Sequence, residues 1–402
     1  MYLNLLIKDK LKEIKSEHKG LITEIVYGVV RNKLFLDAKI SSYSKVKLKK
    51  LSLNVLVILR IAFYEIYFMD SVPDYAIINE SVNLAKKYAY KSSGFINGIL
   101  RNGVNKTKTD YPDNIKYSFP DFIYLKIKEQ YGKDAEKILS ELNKKKPSAI
   151  RPNILKIFSS ELKALLGDSC YEENSRLFLR GNIKNEYFEK GFYSVSGIAS
   201  QAVVEALEPR KNEIILDCCS APGGKTAYIA ELMGNTGEVV AMELHAHRCE
   251  LIKENLKRLD ITNVNVVCGD ASAKKVEFCG RFDRVLCDVP CSGWGVIGNK
   301  PDIKWQDINI EELKALQKKI LMTAAEYVKP GGILVYSTCT VNKEENEETV
   351  LEFLKNNDEF EKMPFEVNLD GIIYGKDGTA EIMPYKNTSG FYICKMKKVE
   401  KR

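Results

Sequence analysis

Ten cysteines are scattered through the 402 residues, and two of them stand where a thiol could react. Cys291 lies in Asp288-Val-Pro-Cys-Ser-Gly-Trp-Gly295 and Cys339 in Tyr336-Ser-Thr-Cys-Thr340, each just after a short apolar run. A polar loop can lower a cysteine's pKa and present its thiolate, which is the nucleophilic form. The other cysteines read as packing residues: Cys170, Cys249, Cys268, Cys279 and Cys394 as small buried hydrophobes, Cys287 on an apolar run, Cys218 beside Cys219 in a tight turn. There is no CxxC pair and the histidines are His18, His245 and His247, so neither a disulfide framework nor a metal site is expected. Reduced thiols suit a cytoplasmic protein.

A second cluster precedes these cysteines, in Leu216-Asp-Cys-Cys-Ser-Ala-Pro-Gly-Gly-Lys-Thr226. Gly223 and Gly224 let the backbone approach a ligand closely at the start of the helix that follows. The pattern is neither GxGxxG nor GxxxxGKS/T, which argues against a dinucleotide and against a P-loop. Glu243 closes the next apolar run, about 20 residues beyond the glycines, where ribose hydroxyls are usually held. Asp270 and Asp288 close the two runs after it. One such acid alone reads as a helix cap or a solvated loop residue. Three at successive strand ends point to a ribose, an adenine amino group and a substrate base as recipients.

A methyl donor and a cysteine nucleophile in one site suit carbon 5 of a pyrimidine. That carbon is too poor a nucleophile to attack a sulfonium methyl group directly. Thiolate addition at carbon 6 converts the ring to an enamine, and covalent catalysis thereby replaces one hard step by easier ones. A carboxyl such as Asp288, sharing a proton with ring nitrogen 3, would balance the charge as the thiol adds. Position alone leaves either cysteine as the attacker.

The elements that must position these residues follow from periodicity. Apolar runs at Ile214–Leu216, Val239–Met242, Val264–Val267, Arg284–Cys287 and Ile333–Tyr336 predict buried strands. Amphipathic stretches at Lys225–Met233, Ala246–Leu259 and Glu311–Val328 predict the helices between them. Such alternation predicts a doubly wound α/β sheet, whose ligands sit outside the carboxyl ends of the strands. Upstream, the spacing of Leu21, Ile22, Ile25, Val26, Val29 and Val30, and again of Leu53, Leu56, Ile58, Leu59 and Phe63, predicts an all-α bundle. Residues 107–120 read as a linker, helices are expected at Asp121–Tyr131 and Asp134–Asn143, and 148–198 as a small α+β unit.

Taken in order, Cys219-Ser-Ala-Pro-Gly-Gly-Lys225, Asp288-Val-Pro-Cys-Ser-Gly293, Lys300-Pro-Asp-Ile-Lys-Trp305, Ser337-Thr-Cys-Thr340 and Ser389-Gly-Phe-Tyr-Ile-Cys-Lys395 resemble the RNA cytosine-5 methyltransferases of the Nol1/Nop2/Sun type. Ile25-Val-Tyr-Gly-Val-Val-Arg31, Val72-Pro-Asp-Tyr-Ala-Ile-Ile-Asn-Glu-Ser-Val82 and Phe95-Ile-Asn-Gly-Ile-Leu-Arg101 are similar to the RNA-binding fold of the antitermination factor NusB. The two in one chain resemble the Sun or Fmu type, which acts on 16S ribosomal RNA. The resemblance implies a multidomain protein: a NusB-like helical domain over 1–120, linker helices and an RRM-like α+β unit over 121–198, and a Rossmann-like catalytic domain over 199–398. It implies S-adenosylmethionine as cofactor, leaving as S-adenosylhomocysteine, with Cys219, Ser220, Ala221, Pro222, Gly223, Gly224, Lys225, Glu243, Asp270 and Asp288 at the cofactor or the active site. By the same resemblance Cys339 is the nucleophile, Cys291 assists product release and Asp288 contacts the cytosine.

Four positions depart from the usual pattern. Glu243 stands where Asp is commoner, and Ser196-Gly197 where Gln-Asp is more usual. Gly298-Asn299 precede Lys300 where arginines are frequent, a change expected to weaken a phosphate contact. A first helix usual in NusB-like domains is expected to be short or missing. The partner implied is small-subunit ribosomal RNA, bound by a monomer; the alternatives are the same chemistry on transfer RNA or another ribosomal site, or a non-catalytic assembly factor. Intact Cys339, Cys291 and Asp288 stand against the last.

Charge distribution agrees with a polyanionic partner. Residues 1–150 hold 27 Lys and Arg against 16 Asp and Glu, a net +11, whereas the whole chain carries +7. Positive charge concentrated in one segment is the footprint of polyanion binding, although a solvated lysine-rich surface gives the same count. The greasiest window, Asn54 to Met69, is cut by Arg60 and Glu65 and is too short to span a membrane.

Overall fold

The computed structural model describes residues 3–106, 109–369, 372–374 and 377–399. It divides into two compact units, Met1–Asn143 with Ile297–Gln306, and Lys144–Val296 with Asp307–Arg402.

The first unit is helical. Its α-helices are α1 (Leu3–Lys10), α2 (Ser16–Arg31), α3 (Lys33–Tyr43), α4 (Leu53–Phe68), α5 (Asp74–Tyr88), α6 (Ser93–Gly103), α7 (Asp113–Lys116), α8 (Asp121–Tyr131) and α9 (Ala135–Leu142). Of the expected stripes, Ile58, Leu59 and Phe63 are buried, with Leu36, Ile40, Ile96 and Leu100 in the same core, while Ile25 and Val29 are half-buried against it and Leu21 and Leu53, in the N-terminal halves of their helices, are exposed. Of the expected linker, residues 107 and 108 lie outside the described residues, and α7 occupies part of the rest.

Residues 297–306, distant in sequence, fold into this unit. Lys304 is completely buried, and its ammonium donates to the carbonyls of Arg31 at 3.0 Å and Ser118 at 2.9 Å and to Asn143 Oδ1 at 2.5 Å. The Trp305 indole N–H donates to the Val30 carbonyl at 2.9 Å. Burial, then the nearby Arg31, push the Lys304 pKa well down. Oxygen acceptors replace the water that the ammonium gives up.

The second unit holds two sheets. Strands β1 (Ser148–Pro152), β2 (Cys170–Glu173), β3 (Arg176–Leu179) and β4 (Tyr193–Val195) form an antiparallel sheet in the order β2-β3-β1-β4, accompanied by α10 (Ser159–Leu166) and α11 (Glu186–Glu189). After α12 (Ile198–Leu207) comes the large sheet: β5 (Ile214–Asp217), α13 (Gly224–Leu232), β6 (Glu238–Glu243), α14 (Ala246–Leu259), β7 (Val264–Cys268), β8 (Phe282–Asp288), α15 (Ile310–Tyr327), β9 (Val328–Thr338), α16 (Glu347–Asn356), β10 (Phe360–Lys362), β11 (Ile372–Tyr374), β12 (Thr379–Ile382) and β13 (Phe391–Lys398). Its order is β11-β12-β13-β9-β8-β5-β6-β7, with β10 on β13. Strands β5 to β9 pair in parallel, and β10, β12 and β13 join antiparallel. The five expected strands and three expected helices are present within a few residues; the antiparallel extension lay beyond the periodicity argument.

Alternate residues of the central strands enter opposite cores. Ile215, Val239, Ala241, Leu286, Ile333 and Val335 pack against α12, α13 and α14, while Leu216, Val240, Met242, Val285, Cys287, Leu334 and Tyr336 pack against α15 and α16. Burial on both faces is why these strands read as continuous apolar runs rather than alternating ones. The small sheet is tied to the large one by a buried bidentate pair, Arg151 of β1 with Glu231 of α13, whose Nη2–Oε1 bond is 2.9 Å.

Candidate active site

Strand order reverses between β5 and β8. From β5 the chain proceeds through β6 to β7 on one side, and it returns through β8 and β9 on the other. Crossovers leaving in opposite directions open a crevice beyond the carboxyl ends of β5 and β8. The loop after β5, the loop after β8 and the loop after β9 are those singled out in the sequence.

Cys339 follows β9 and Cys291 follows β8. Their sulfurs lie 3.2 Å apart, and the Cys339 backbone N–H points at the Cys291 sulfur at 3.2 Å. Both thiols are partly exposed. The hydrogen bond with Cys339, then burial, push the Cys291 thiol well above its ordinary range, helped by the negative charges of Glu345 and Asp288. Either sulfur can donate in this pair, and the raised Cys291 thiol favours Cys291 as the donor. The loop carrying it is fixed by Gly295, whose N–H donates to the Cys339 carbonyl at 3.0 Å and whose carbonyl accepts from Gly390 at 2.9 Å.

Asp288 ends β8. Its Oδ2 takes a 2.6 Å bond from the Lys225 ammonium and its Oδ1 a 2.7 Å bond from the Ser337 hydroxyl. Burial opposes the charge on Lys225, but Asp288, Asp217 and the Cys339 thiol outweigh it and hold the Lys225 pKa above normal. Lys225, expected at the cofactor, thus stands as the counter-ion of Asp288 within electrostatic reach of Cys339.

The remaining loop after β5 is a tight turn. Ser220 is buried, donates its hydroxyl to the Asp217 carbonyl at 2.8 Å and takes the Gly223 N–H on its own carbonyl at 2.7 Å. Gly223 adopts φ +93°, a left-handed conformation that favours glycine, and α13 starts at the next residue. Cys219, Ala221 and Pro222 form the outer part of the turn. Glu243, buried at the end of β6, accepts the His245 N–H at 3.1 Å and pairs with Arg248 at 3.1 Å. Asp270, exposed beyond β7, accepts the Ser272 N–H at 2.8 Å.

Asp217 was not singled out in the sequence. It is 1% exposed; its Oδ2 accepts the Thr226 hydroxyl at 2.7 Å, and its Oδ1 has no hydrogen-bond partner among the described residues. Burial pushes its pKa up to about 6. An orphaned carboxylate oxygen at the end of β5, open space where a Cβ on Gly224 would lie, and acids at the ends of β6 and β7 together fit a cationic ligand bearing hydroxyl and amino groups. No group of three or more His, Cys, Asp or Glu suited to a metal occurs among the described residues, and no helix there is long and apolar enough to cross a membrane.

Two expectations about cysteines are corrected. Cys268 and Cys279 are exposed, because each stands at the margin of the sheet, on an edge strand or in a loop. Cys218, in the turn directly after β5, and Cys287, on β8, are buried against each other.

This fold is that of the Rossmann-like, S-adenosylmethionine-dependent methyltransferases, preceded by a NusB-type helical domain. The family described as 16S rRNA methyltransferase RsmB/F matches residues 204–397, and the NusB family matches residues 1–105. The chain is 35% identical to the probable ribosomal RNA small subunit methyltransferase B of Bacillus subtilis (strain 168), over 99% of this chain and 95% of that one. It is 33% identical to ribosomal RNA small subunit methyltransferase B of Pasteurella multocida (strain Pm70), over 99% and 92%. Among solved structures, that of PH0851 superposes with a TM-score of 0.80 at 27% identity, covering 97% of this chain and 92% of that one. The chain belongs to the ribosomal RNA small subunit methyltransferase B family.

Proposed function

We propose that the protein methylates carbon 5 of a cytosine in 16S ribosomal RNA through a covalent bond between Cys339 and the base. The observation that carries this reading is the pair of thiols 3.2 Å apart beside the Lys225–Asp288 ion pair. A protonated Cys291 hydrogen-bonded to Cys339 favours the thiolate on Cys339, with the Lys225 ammonium adding to that effect. The Cys339 sulfur adds to carbon 6, and the electron pair of the 5,6 double bond makes carbon 5 nucleophilic. Asp288 accepts from the cytosine amino group, and the Lys225 ammonium beside it balances the charge that builds on the ring. Methylated carbon 5 then loses its proton to a base, the carbon 6–sulfur bond breaks as the double bond returns, and Cys291 gives its proton to the departing Cys339 thiolate.

The residues that would hold S-adenosylmethionine are the Cys219–Lys225 turn, Glu243 and Asp270. When bound, it supplies the electrophilic methyl group. Small-subunit ribosomal RNA is the partner, bound through the basic helical domain, and the cytoplasm is the compartment.

Bisulfite mapping of ribosomal and transfer RNA from cells with and without the gene tests the reading. One 16S cytosine should be protected only when the protein is present. Protection that disappears from transfer RNA alone, or from no cytosine, would overturn it.

A further inference from the structure

Beyond the nucleophile the chain runs Thr340-Val-Asn-Lys-Glu-Glu345-Asn346. The charged run at 343–348 has the composition of a solvated helix start. Two of its side chains, Glu345 and Asn346, are instead buried and hydrogen-bonded to the sequence neighbours of the two cysteines. Glu345 is 0% exposed, and its carboxylate accepts from four neutral donors: the Ser292 N–H at 2.8 Å, the Ser292 hydroxyl at 2.5 Å, the Gln317 amide at 2.9 Å and the Asn342 amide at 3.1 Å. Gln317 also donates to the Pro290 carbonyl at 2.9 Å, so the residues on both sides of Cys291 are tied down.

Asn346 serves the other loop in the same way. Its Oδ1 accepts the Thr338 hydroxyl at 2.5 Å and its Nδ2 donates to the Thr340 carbonyl at 3.1 Å, gripping the two neighbours of Cys339. A 2.8 Å bond between the Ser292 and Thr340 hydroxyls joins the halves. No salt bridge to Glu345 forms among the described residues. Burying a carboxylate on neutral donors alone is unfavourable unless every donor is matched, and a carboxylate, which only accepts, matches all four. An amide of the same shape would turn an N–H against one of them.

We propose that Glu345 and Asn346 are positioning residues that set the approach of the two thiols, Glu345 through the Cys291 loop and Asn346 through the Cys339 loop. Their catalytic meaning rests on the assignment of Cys339 to attack and Cys291 to release.

The test uses the full-length protein and dibromobimane, which bridges thiols that lie close together, with bridged peptides counted by mass spectrometry. The Cys291–Cys339 bridge should form at least about tenfold more slowly in Glu345→Gln, a part of the roughly 100-fold that a displacement of about 1 Å costs a proximity-controlled reaction. The neighbouring Cys249–Cys268 pair, outside the network, should bridge at its wild-type rate. Glu345→Asp, which keeps the acceptor, should recover most of the loss. If Glu345→Gln folds poorly, Ser292→Ala removes the hydroxyl arm alone and is read the same way. In turnover with RNA, Glu345→Gln should accumulate a covalent protein–RNA complex, as Cys291→Ala should. Wild-type bridging in both Glu345→Gln and Ser292→Ala would overturn the positioning role. Slowed bridging with no RNA trapped by Cys291→Ala would leave that role standing and remove Cys291 from product release.

Discussion

Cys339 and Cys291 are the same side chain 3.2 Å apart, so any division of labour between them must come from their surroundings. The hydrogen bond with Cys339, then burial and the charges of Glu345 and Asp288, push the Cys291 thiol up, whereas Cys339 lies within electrostatic reach of Lys225. From this asymmetry Cys339→Ala should form no adduct and methylate nothing. Cys291→Ala should attack and methylate but release slowly, giving a retarded protein–RNA band on a denaturing gel. Adding Cys339→Ala should abolish the band, as expected for residues acting in sequence; the opposite pattern would reverse the roles. Asp217 allows a test in pH. Its folded pKa of about 6 lies above the ordinary 3.8, so the stability linked to this group is fully present below 3.8 and is lost as pH rises through about 6. Asp217→Asn keeps an acceptor for Thr226 and removes the charge. It should raise Tm at pH 8 by an amount equivalent to about 1–3 kcal/mol and leave Tm near pH 4 almost unchanged. A Tm difference independent of pH would mean that ionisation of Asp217 does not matter.

At the scale of elements, the two cysteine loops and the segment before β13 are joined by backbone hydrogen bonds. Gly295 is their closest point. A Cβ there would lie 1.9 Å from the Gly390 carbonyl oxygen and 2.8 Å from the Cys339 carbonyl oxygen, and neither is a flexible side chain. Gly295→Ala should therefore displace the Cys339 loop and reduce methylation at least 100-fold, the order reached when reacting groups shift by about 1 Å. Affinity for S-adenosylmethionine, measured by calorimetry, should change far less, since the turn after β5 is untouched. An equal fall in both would place the damage in the fold rather than the loop. The parallel strands β5, β6, β8 and β9 were legible in the sequence because burial on both faces leaves unbroken apolar runs; β7, expected to be buried, is an edge strand with no buried residue. Strands β10, β11 and β12 were not legible, being three or four residues long and specified by pairing, β10 and β12 with β13 and β11 with β12, rather than by their own pattern.

For the whole molecule, the basic excess in residues 1–150 bears on how RNA is held. Lys45, Lys47, Lys49 and Lys50 are exposed around one short turn between α3 and α4. Replacing all four by Gln in the full-length protein should lower RNA affinity. It should also reduce the slope of log affinity against log salt by roughly one for each phosphate that a lysine no longer neutralises. An unchanged slope would mark these lysines as solvated surface. Removing the helical unit outright is a poorer test, because Lys304 would be deprived of the Arg31 and Ser118 carbonyls that satisfy it.

The sequence by itself determined the class of fold and the three loops that carry the chemistry. Buried strands show in unbroken apolar runs, and small, acidic and cysteine residues at their ends have few other uses. Three-dimensional packing decided what those residues do to one another. Lys225 reads as part of a glycine-rich turn, yet it is the counter-ion of Asp288. Asp217 and Glu345 were not singled out in the sequence, and both are buried. Lys304, in a stretch between two catalytic-domain motifs, is enclosed by carbonyls of the helical unit. In each case the deciding quantity is desolvation, which depends on what the rest of the chain brings within a few ångströms and leaves no periodic trace in the sequence.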